Sequence, residues 1–387
     1  MIAIILKRVI FDLIVLPIFL TLLVIIFLDE KAVYRSTLLI TELLPGISLP
    51  LLDGLYSPSV HQTLELEFEN KIIQADLYMP SGNQDSPAFI FFLGVSPVER
   101  GSDPRVDNLV NTLAGLGIAV LVPWLETQEK QVVVKDDIES LIYLFEYLSD
   151  MDGIDDTKVG MGGICTGASM VAVAASDDRI NQNVKFLNLF AGYYDAFDFM
   201  EAVLTEQRFY DGRFQEWKPD SLTEKVVLRQ LVESISNSQD KDYLIRLISN
   251  QGVNIQNEFL ITDEAKVIHL IISDPYTNDL DDLFQQLPLE TISYLNDISP
   301  SSFIKGLKTN ILIMHDRNDK LVPVEESRRF SNSLKSQESI YYTEFSSFQN
   351  QIQVHIDEDS KNISILDYAR EALKLLAHLY EAMKQVS

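Results

Sequence analysis

The sequence predicts an α/β protein with a mostly parallel sheet flanked by helices, an inserted helical cap and an N-terminal transmembrane helix. Three observations support this prediction. After residue 61, strand and helix patterns alternate along the chain, which is typical of a parallel sheet with right-handed crossovers. Between residues 195 and 305 the strand rhythm stops and helical patterns take its place. Finally, residues 1–28 are almost continuously apolar.

Composition limits the classes of protein that the chain can form. It has 387 residues, enough for one large α/β domain with an insertion, and 47% hydrophobic residues exclude a disordered chain. A single cysteine excludes a disulfide framework and a cysteine-based zinc site. The net charge of −26 disfavours nucleic acid as a partner, because such a surface repels phosphate.

The N-terminal segment, residues 1–31, is predicted to be a retained single-span membrane anchor. From Val9 to Leu28 the only charged residue is Asp12, and twenty helical residues span about 30 Å, the thickness of the hydrocarbon core. A cleaved signal peptide and a buried core helix are the alternatives, but no small-residue cleavage site follows the apolar run.

The order of charges around the anchor predicts a single-pass protein with its globular body on the extracytoplasmic side. Lys7 and Arg8 precede the span, as in a signal anchor. Residues 32–60 are predicted to be a membrane-proximal linker. Its apolar stretch, residues 38–55, either follows the membrane interface or covers part of the globular core.

The elements of the globular body follow in order. An antiparallel strand pair is predicted at 63–69 and 71–79 because apolar residues alternate by two. Further strands are predicted at 88–93, 119–123, 158–161, 184–190, 310–314 and 340–345. Helices are predicted at 107–116, 135–148, from about 166, at 325–334 and at 365–383. The core therefore comprises residues 61–192 and 307–387, and residues 193–306 form the inserted cap.

The only cysteine lies where a strand is predicted to turn into a helix, in the sequence Gly163-Ile164-Cys165-Thr166-Gly167. A nucleophile on such a turn needs small residues on either side, because neighbouring backbone passes closely. We expect the helix dipole to favour the Cys165 thiolate and the Thr166 N–H to serve as an oxyanion donor. The alternative is a buried structural cysteine.

The residues that would assist Cys165 lie downstream, because this type of fold orders its triad as nucleophile, acid, histidine. Asp319 follows a predicted strand and is the preferred acid; Asp316 is the fallback, and helix capping is the non-catalytic alternative. His355, which follows the last predicted strand by a loop, is the preferred base. The second oxyanion donor is predicted to be the Val95 N–H, in the loop after residue 93.

These motifs resemble those of the α/β hydrolase superfamily, dienelactone-hydrolase type. The resemblance rests on the box around Cys165, on His315-Asp316-Arg317-Asn318-Asp319 with the following Val322-Pro323, and on the late His355. It covers residues 60–192 and 306–385, and it implies that Cys165 is the nucleophile, Asp319 the acid and His355 the base. Leu93-Gly94 stands where the family commonly has His-Gly. Polyhydroxyalkanoate synthases, which are acyltransferases, also carry a cysteine in this box.

The sequence thus predicts a membrane-anchored hydrolase that cleaves an ester, lactone or thioester through a covalent acyl-enzyme. Its expected partners are a small-molecule acyl substrate and, through the N-terminal helix, membrane lipid. No metal or organic cofactor is expected, because no ligand cluster is evident. The alternatives are an acyltransferase of the polyhydroxyalkanoate-synthase type and an anchored binding protein without catalytic activity.

Overall fold

The computed structural model describes residues 28–44, 56–82, 85–95, 100–249, 260–276, 280–335, 339–346 and 364–387. The predicted membrane span lies outside these residues except for its last four. Within the described ranges, no helix combines the length and the apolar character needed to cross a membrane.

An eight-stranded sheet forms the centre of the molecule, in the order β1-β2-β4-β3-β5-β6-β9-β10. β1 pairs with β2, and β2 with β4, in antiparallel fashion, and every other neighbouring pair is parallel. The strands are β1 (Ser59–Phe68), β2 (Lys71–Pro80), β3 (Ser86–Phe92), β4 (Ala119–Trp124), β5 (Ile154–Ile164), β6 (Phe186–Phe190), β9 (Asn310–Asp316) and β10 (Ile340–Phe345). The predicted mostly parallel sheet and the antiparallel first pair are both confirmed.

Helices pack on both faces of this sheet. The helices of the core are α1 (Glu30–Leu43), α2 (Pro104–Gly115), α3 (Glu126–Lys130), α4 (Asp136–Ser149), α5 (Thr166–Ala174), α12 (Val324–Ser333) and α13 (Ile365–Lys384). Successive residues of β3 point to opposite faces, so Ile90 and Phe92 pack in one apolar core with α4 and α5. Phe89 and Phe91 pack in a second apolar core, with α1, α2 and α13. We call the face of the sheet that carries this second core the helix-side face.

Helix α1 belongs to the globular body. Asp29 caps it by accepting the Ala32 N–H at 2.8 Å, and Leu38 and Leu39 are buried. The Arg35 guanidinium links α1 to residues just after the ends of α2 and α13, since it donates to the carbonyls of Leu116 and Val386. The described beginning of the apolar stretch 38–55 therefore covers the core; residues 45–55 lie outside the described part of the chain.

The insertion between β6 and β9 is mainly helical. Its helices are α6 (Ala196–Leu204), α7 (Ser221–Glu233), α8 (Ser238–Ile248), α9 (Asp263–Ser273), α10 (Leu280–Gln285) and α11 (Leu289–Asp297). It also contains a hairpin, β7 (Gln207–Tyr210) with β8 (Arg213–Glu216), which was not predicted from the sequence. Asp211-Gly212 between these strands, with φ values of 52° and 70°, is a strong hairpin turn signal that could have revealed it.

Candidate active site

Cys165 lies on the sharp turn between β5 and α5. Its backbone has φ 54° and ψ −129°, outside the regions that a residue with a side chain ordinarily occupies. Its N–H donates to the Phe190 carbonyl at 2.8 Å, which fixes the turn against the neighbouring strand. Such a conformation costs on the order of 1–3 kcal/mol and is found mainly at functional sites. The residue as a whole is partly exposed, but its thiol is surrounded by protein.

Two glycines allow the backbone to pack tightly around this turn. A Cβ on Gly163 would lie 2.6 Å from the Phe92 oxygen, and one on Gly167 would lie 2.3 Å from the same atom. Real Cβ atoms do not approach backbone so closely, so both positions require glycine. The physical reason that the sequence offered for these glycines, close backbone approach, is confirmed.

The electrostatics of the thiol differ from the expectation. Desolvation by the surrounding protein and the negative charge of Asp319 raise the pKa of the Cys165 thiol to about 12, while the Thr166 N–H acts in the opposite direction. The helix N-terminus acts in the expected direction through the Thr166 N–H, but desolvation and the charge of Asp319 outweigh it. A thiol that holds its proton at neutral pH can act as a nucleophile only if a base removes that proton.

The two predicted oxyanion donors lie next to each other. The Val95 N–H donates to the Thr166 hydroxyl oxygen at 2.8 Å, and Thr166 is buried. The Thr166 N–H is directed at the Cys165 sulfur. In this conformation both N–H groups already have partners, so a substrate oxygen must replace the Cys165 sulfur at the Thr166 N–H and the Thr166 hydroxyl at the Val95 N–H. No sequence pattern predicts this role for the Thr166 side chain.

Asp319 is held rigidly in the loop after β9. Its Oδ1 accepts the N–H groups of Leu321 at 2.6 Å and Val322 at 3.1 Å. Its Oδ2 is buried and has no hydrogen-bond partner among the described residues. Asp316 is buried as well, and its Oδ1 accepts the Asn318 N–H at 2.8 Å. A fixed carboxylate with one oxygen unpartnered is what an acid needs to orient an imidazole.

His315 supports this loop from within the core. It is fully buried, its Nε2 donates to the Val322 carbonyl at 2.9 Å, and its Nδ1 accepts from the Ser327 hydroxyl at 2.7 Å. Nε2 also lies 3.5 Å from Asp319 Oδ2. Because both nitrogens already have partners, His315 has a positioning role in the Asp319 loop.

The preferred base, His355, lies outside the described residues. Two other histidines have structural partners. His378 is buried in α13, where it bonds to Thr343 and Asn188, and His61 stacks on Tyr78. Within the described ranges no cluster of three or more His, Cys, Asp or Glu side chains is arranged to hold a metal ion.

The cap is docked directly onto the Asp319 loop. The Trp217 indole N–H donates to the Asp319 carbonyl at 2.7 Å, and Trp217 is buried. The Asp220 N–H donates to the Lys320 carbonyl at 2.8 Å. These contacts were not predicted from the sequence, because they join segments about a hundred residues apart and no local sequence pattern indicates them.

A cavity of about 210 Å³ opens beside Cys165. Its walls come from the Cys165 turn, from the cap, from the ends of several strands and from the helix-side face. Described residues of the cap and of the helix-side face that line it include Phe199, Leu222, Val226, Leu39, Leu109, Leu375, Leu379, Ala382 and Met383. The cavity is therefore predominantly apolar, as small-molecule sites usually are.

No protein-family model matches the chain, and no curated protein matches it. Solved structures with a similar arrangement include the acylaminoacyl peptidase of Pyrococcus horikoshii, at 12% identity and a TM-score of 0.49, which covers 87% of this chain. This chain spans only 42% of that peptidase's length. A second is the thermophilic esterase Est2 of Thermogutta terrifontis, at 14% identity and a TM-score of 0.47, covering 84% of this chain and 94% of the esterase.

Est1E of Butyrivibrio proteoclasticus is similar at 15% identity and a TM-score of 0.44, covering 84% of this chain and 98% of Est1E. At such identities the reaction of these proteins does not transfer to this chain. The strand order and the strained strand–turn–helix at Cys165 are what assign the molecule an α/β-hydrolase-like fold.

Proposed function

We propose that the protein is a hydrolase of the dienelactone-hydrolase type that cleaves an ester, lactone or thioester through a covalent intermediate on Cys165. The observation that carries this proposal is the strained conformation of Cys165 together with the buried, unpartnered Oδ2 of Asp319. Both features lower the stability of the folded protein, and a binding protein without catalytic activity would gain nothing in return.

The proposed reaction has two halves. His355 accepts the Cys165 proton as the sulfur attacks the acyl carbon, and the carbonyl electrons move to the oxygen, which the N–H groups of Thr166 and Val95 stabilise. Collapse of this intermediate breaks the bond to the leaving group, which receives the proton from His355. Water then attacks the acyl-sulfur carbon and gives its proton to His355. Breaking the carbon–sulfur bond releases the acid and returns the proton to sulfur.

Asp319 acts through His355 rather than on the substrate. The unpartnered Oδ2 accepts an imidazole N–H, which orients the ring and stabilises the imidazolium that forms. The raised pKa of the Cys165 thiol supports these roles of His355 and Asp319, because a protonated thiol depends on a correctly oriented base. We include membrane anchoring through residues 1–31, with the globular body on the extracytoplasmic side, in the proposal; it rests on the sequence.

Steady-state hydrolysis of a p-nitrophenyl ester and of an acyl thioester tests the proposal. We expect background rates for Cys165→Ala and His355→Ala, and weak activity for Cys165→Ser that disappears when His355→Ala is added. His61→Asn is the matched control, since His61 lies on an outer strand and contacts Asp76 and Tyr78. Full activity of Cys165→Ala on a substrate that the protein turns over would refute the mechanism.

A further inference from the structure

We propose that the cavity beside Cys165 binds an unbranched acyl chain of about eight carbons along the helix-side face, which makes medium-chain acyl esters or thioesters the substrate class. This inference rests on the proposed function, because it places the acyl carbon at the Cys165 sulfur.

The cavity reaches the helix-side face directly from the nucleophile. Cys165 and its neighbour Ile164 both line it, and Ile164 packs against the helix-side core. Phe89 and Phe91 of β3 continue the wall along the sheet, because alternate residues of a strand point to the same face. A chain attached to Cys165 therefore has a continuous apolar path between the sheet and α13.

The polar side chains in the cavity wall are already engaged within the protein. Thr166 accepts from Val95, Thr223 donates to the Leu321 carbonyl, Asn188 accepts from His378, and Asp103 pairs with Arg105. A polar or charged chain would lose its hydration here without finding matching partners, which costs free energy. An alkyl chain loses nothing and gains from burial. The chemistry of the wall thus selects a hydrocarbon.

The volume sets the chain length. An apolar protein cavity of roughly 150 Å³ stays dry and accommodates benzene, which has six carbons. In the same proportion, the 210 Å³ found here accommodates about eight carbons. Each buried methylene contributes about 0.8 kcal/mol, equivalent to roughly a fourfold increase in kcat/KM per carbon until the cavity is full.

The test compares kcat/KM for straight-chain p-nitrophenyl esters of two to twelve carbons. We expect a roughly fourfold rise per methylene that ends near eight carbons. Ala382→Leu fills the cavity and should shorten this limit, and Met383→Ala enlarges it and should lengthen the limit. Both residues are buried in α13 and line the cavity. Ala377→Leu is the matched control, since Ala377 is exposed on the same helix.

A binding measurement on a variant without the thiol separates this inference from the proposed function. Full-length Cys165→Ala should bind octanamide, a neutral analogue, and lose most of this affinity when Ala382→Leu is added. If octanamide binds and Ala382→Leu weakens this binding, the acyl site is supported even when no ester is turned over. The absence of ester turnover would then count against the proposed function alone. Ester turnover that does not depend on chain length, with no octanamide binding, would overturn the inference. Equal shifts in Ala377→Leu and Ala382→Leu would overturn it too.

Discussion

The reactivity of Cys165 towards an alkylating reagent gives the most demanding test of the electrostatics. The pKa of the thiol is raised from 9.0 to about 12 by desolvation and by the charge of Asp319. At neutral pH this lowers the thiolate fraction about a thousandfold. A more basic thiolate is also more nucleophilic, with a Brønsted coefficient of about 0.4–0.5, which restores a factor of about 15–30. We therefore expect Cys165 to react roughly 30- to 60-fold more slowly than an ordinary thiol.

Replacing Asp319 by Asn should change reactivity and turnover in opposite directions. Without the negative charge the pKa of the Cys165 thiol falls towards its ordinary value, so alkylation accelerates. Turnover nevertheless drops by orders of magnitude, because an amide no longer holds the imidazole in the productive orientation. Asp316→Asn is the matched control, because Asp316 is a buried carboxylate at the end of β9, three residues from Asp319, that does not act on the thiol pKa.

The assay is the rate of iodoacetamide modification of full-length protein between pH 6 and 10, followed by intact mass. Tryptophan fluorescence checks that the protein stays folded across this range. The logarithm of the wild-type rate should rise with pH at a slope near one, without a plateau, because the pKa of about 12 lies above the range. A rate independent of pH between 6 and 9 would reveal a preformed thiolate and refute the reasoning.

Two further predictions concern the surroundings of Cys165, and a third concerns residues 1–31. Thr166→Val removes the acceptor of the Val95 N–H. Urea unfolding should show a free energy of unfolding about 1–3 kcal/mol lower, while kcat stays unchanged. A 100-fold loss of kcat would instead show that the Thr166 hydroxyl belongs to the oxyanion hole. Trp217→Phe removes the hydrogen bond from the cap to the Asp319 carbonyl. Because this bond helps to position Asp319, kcat should fall by a larger factor than KM changes. An unchanged kcat would show that the cap does not position Asp319. Residues 1–31 should keep the protein in membranes through an alkaline carbonate wash, and release into the soluble fraction would contradict the anchor.

Much of the core architecture was predictable because its elements follow local rules. A short continuous apolar run such as residues 88–93 is typical of a strand covered on both faces, and the observed β3 is buried throughout. The final helix, predicted at 365–383, is observed at Ile365–Lys384, since its amphipathic period is long and uninterrupted. The turn at Cys165 was predictable because glycine is required by close backbone contacts on both sides of it.

The features that escaped prediction depend on contacts between distant segments. The thiol pKa is set by burial and by Asp319, 154 positions away in the chain, and these outweigh the local helix terminus. The bond from Trp217 to the Asp319 carbonyl likewise joins the cap to the core. The partnership of Val95 and Thr166 depends on how two loops meet. A sequence shows which residues are present, but not the distances that decide these effects.

Detection of an acyl group on Cys165 tests the central claim most directly. Full-length wild-type protein is mixed with an octanoyl thioester, quenched in acid within seconds, and mapped by peptide mass spectrometry. We predict one octanoyl group on the peptide that carries Cys165, formed and lost at rates that match turnover, and no adduct in Cys165→Ala. An octanoyl group on a different residue that turns over at the steady-state rate, or full turnover by Cys165→Ala, would contradict the account.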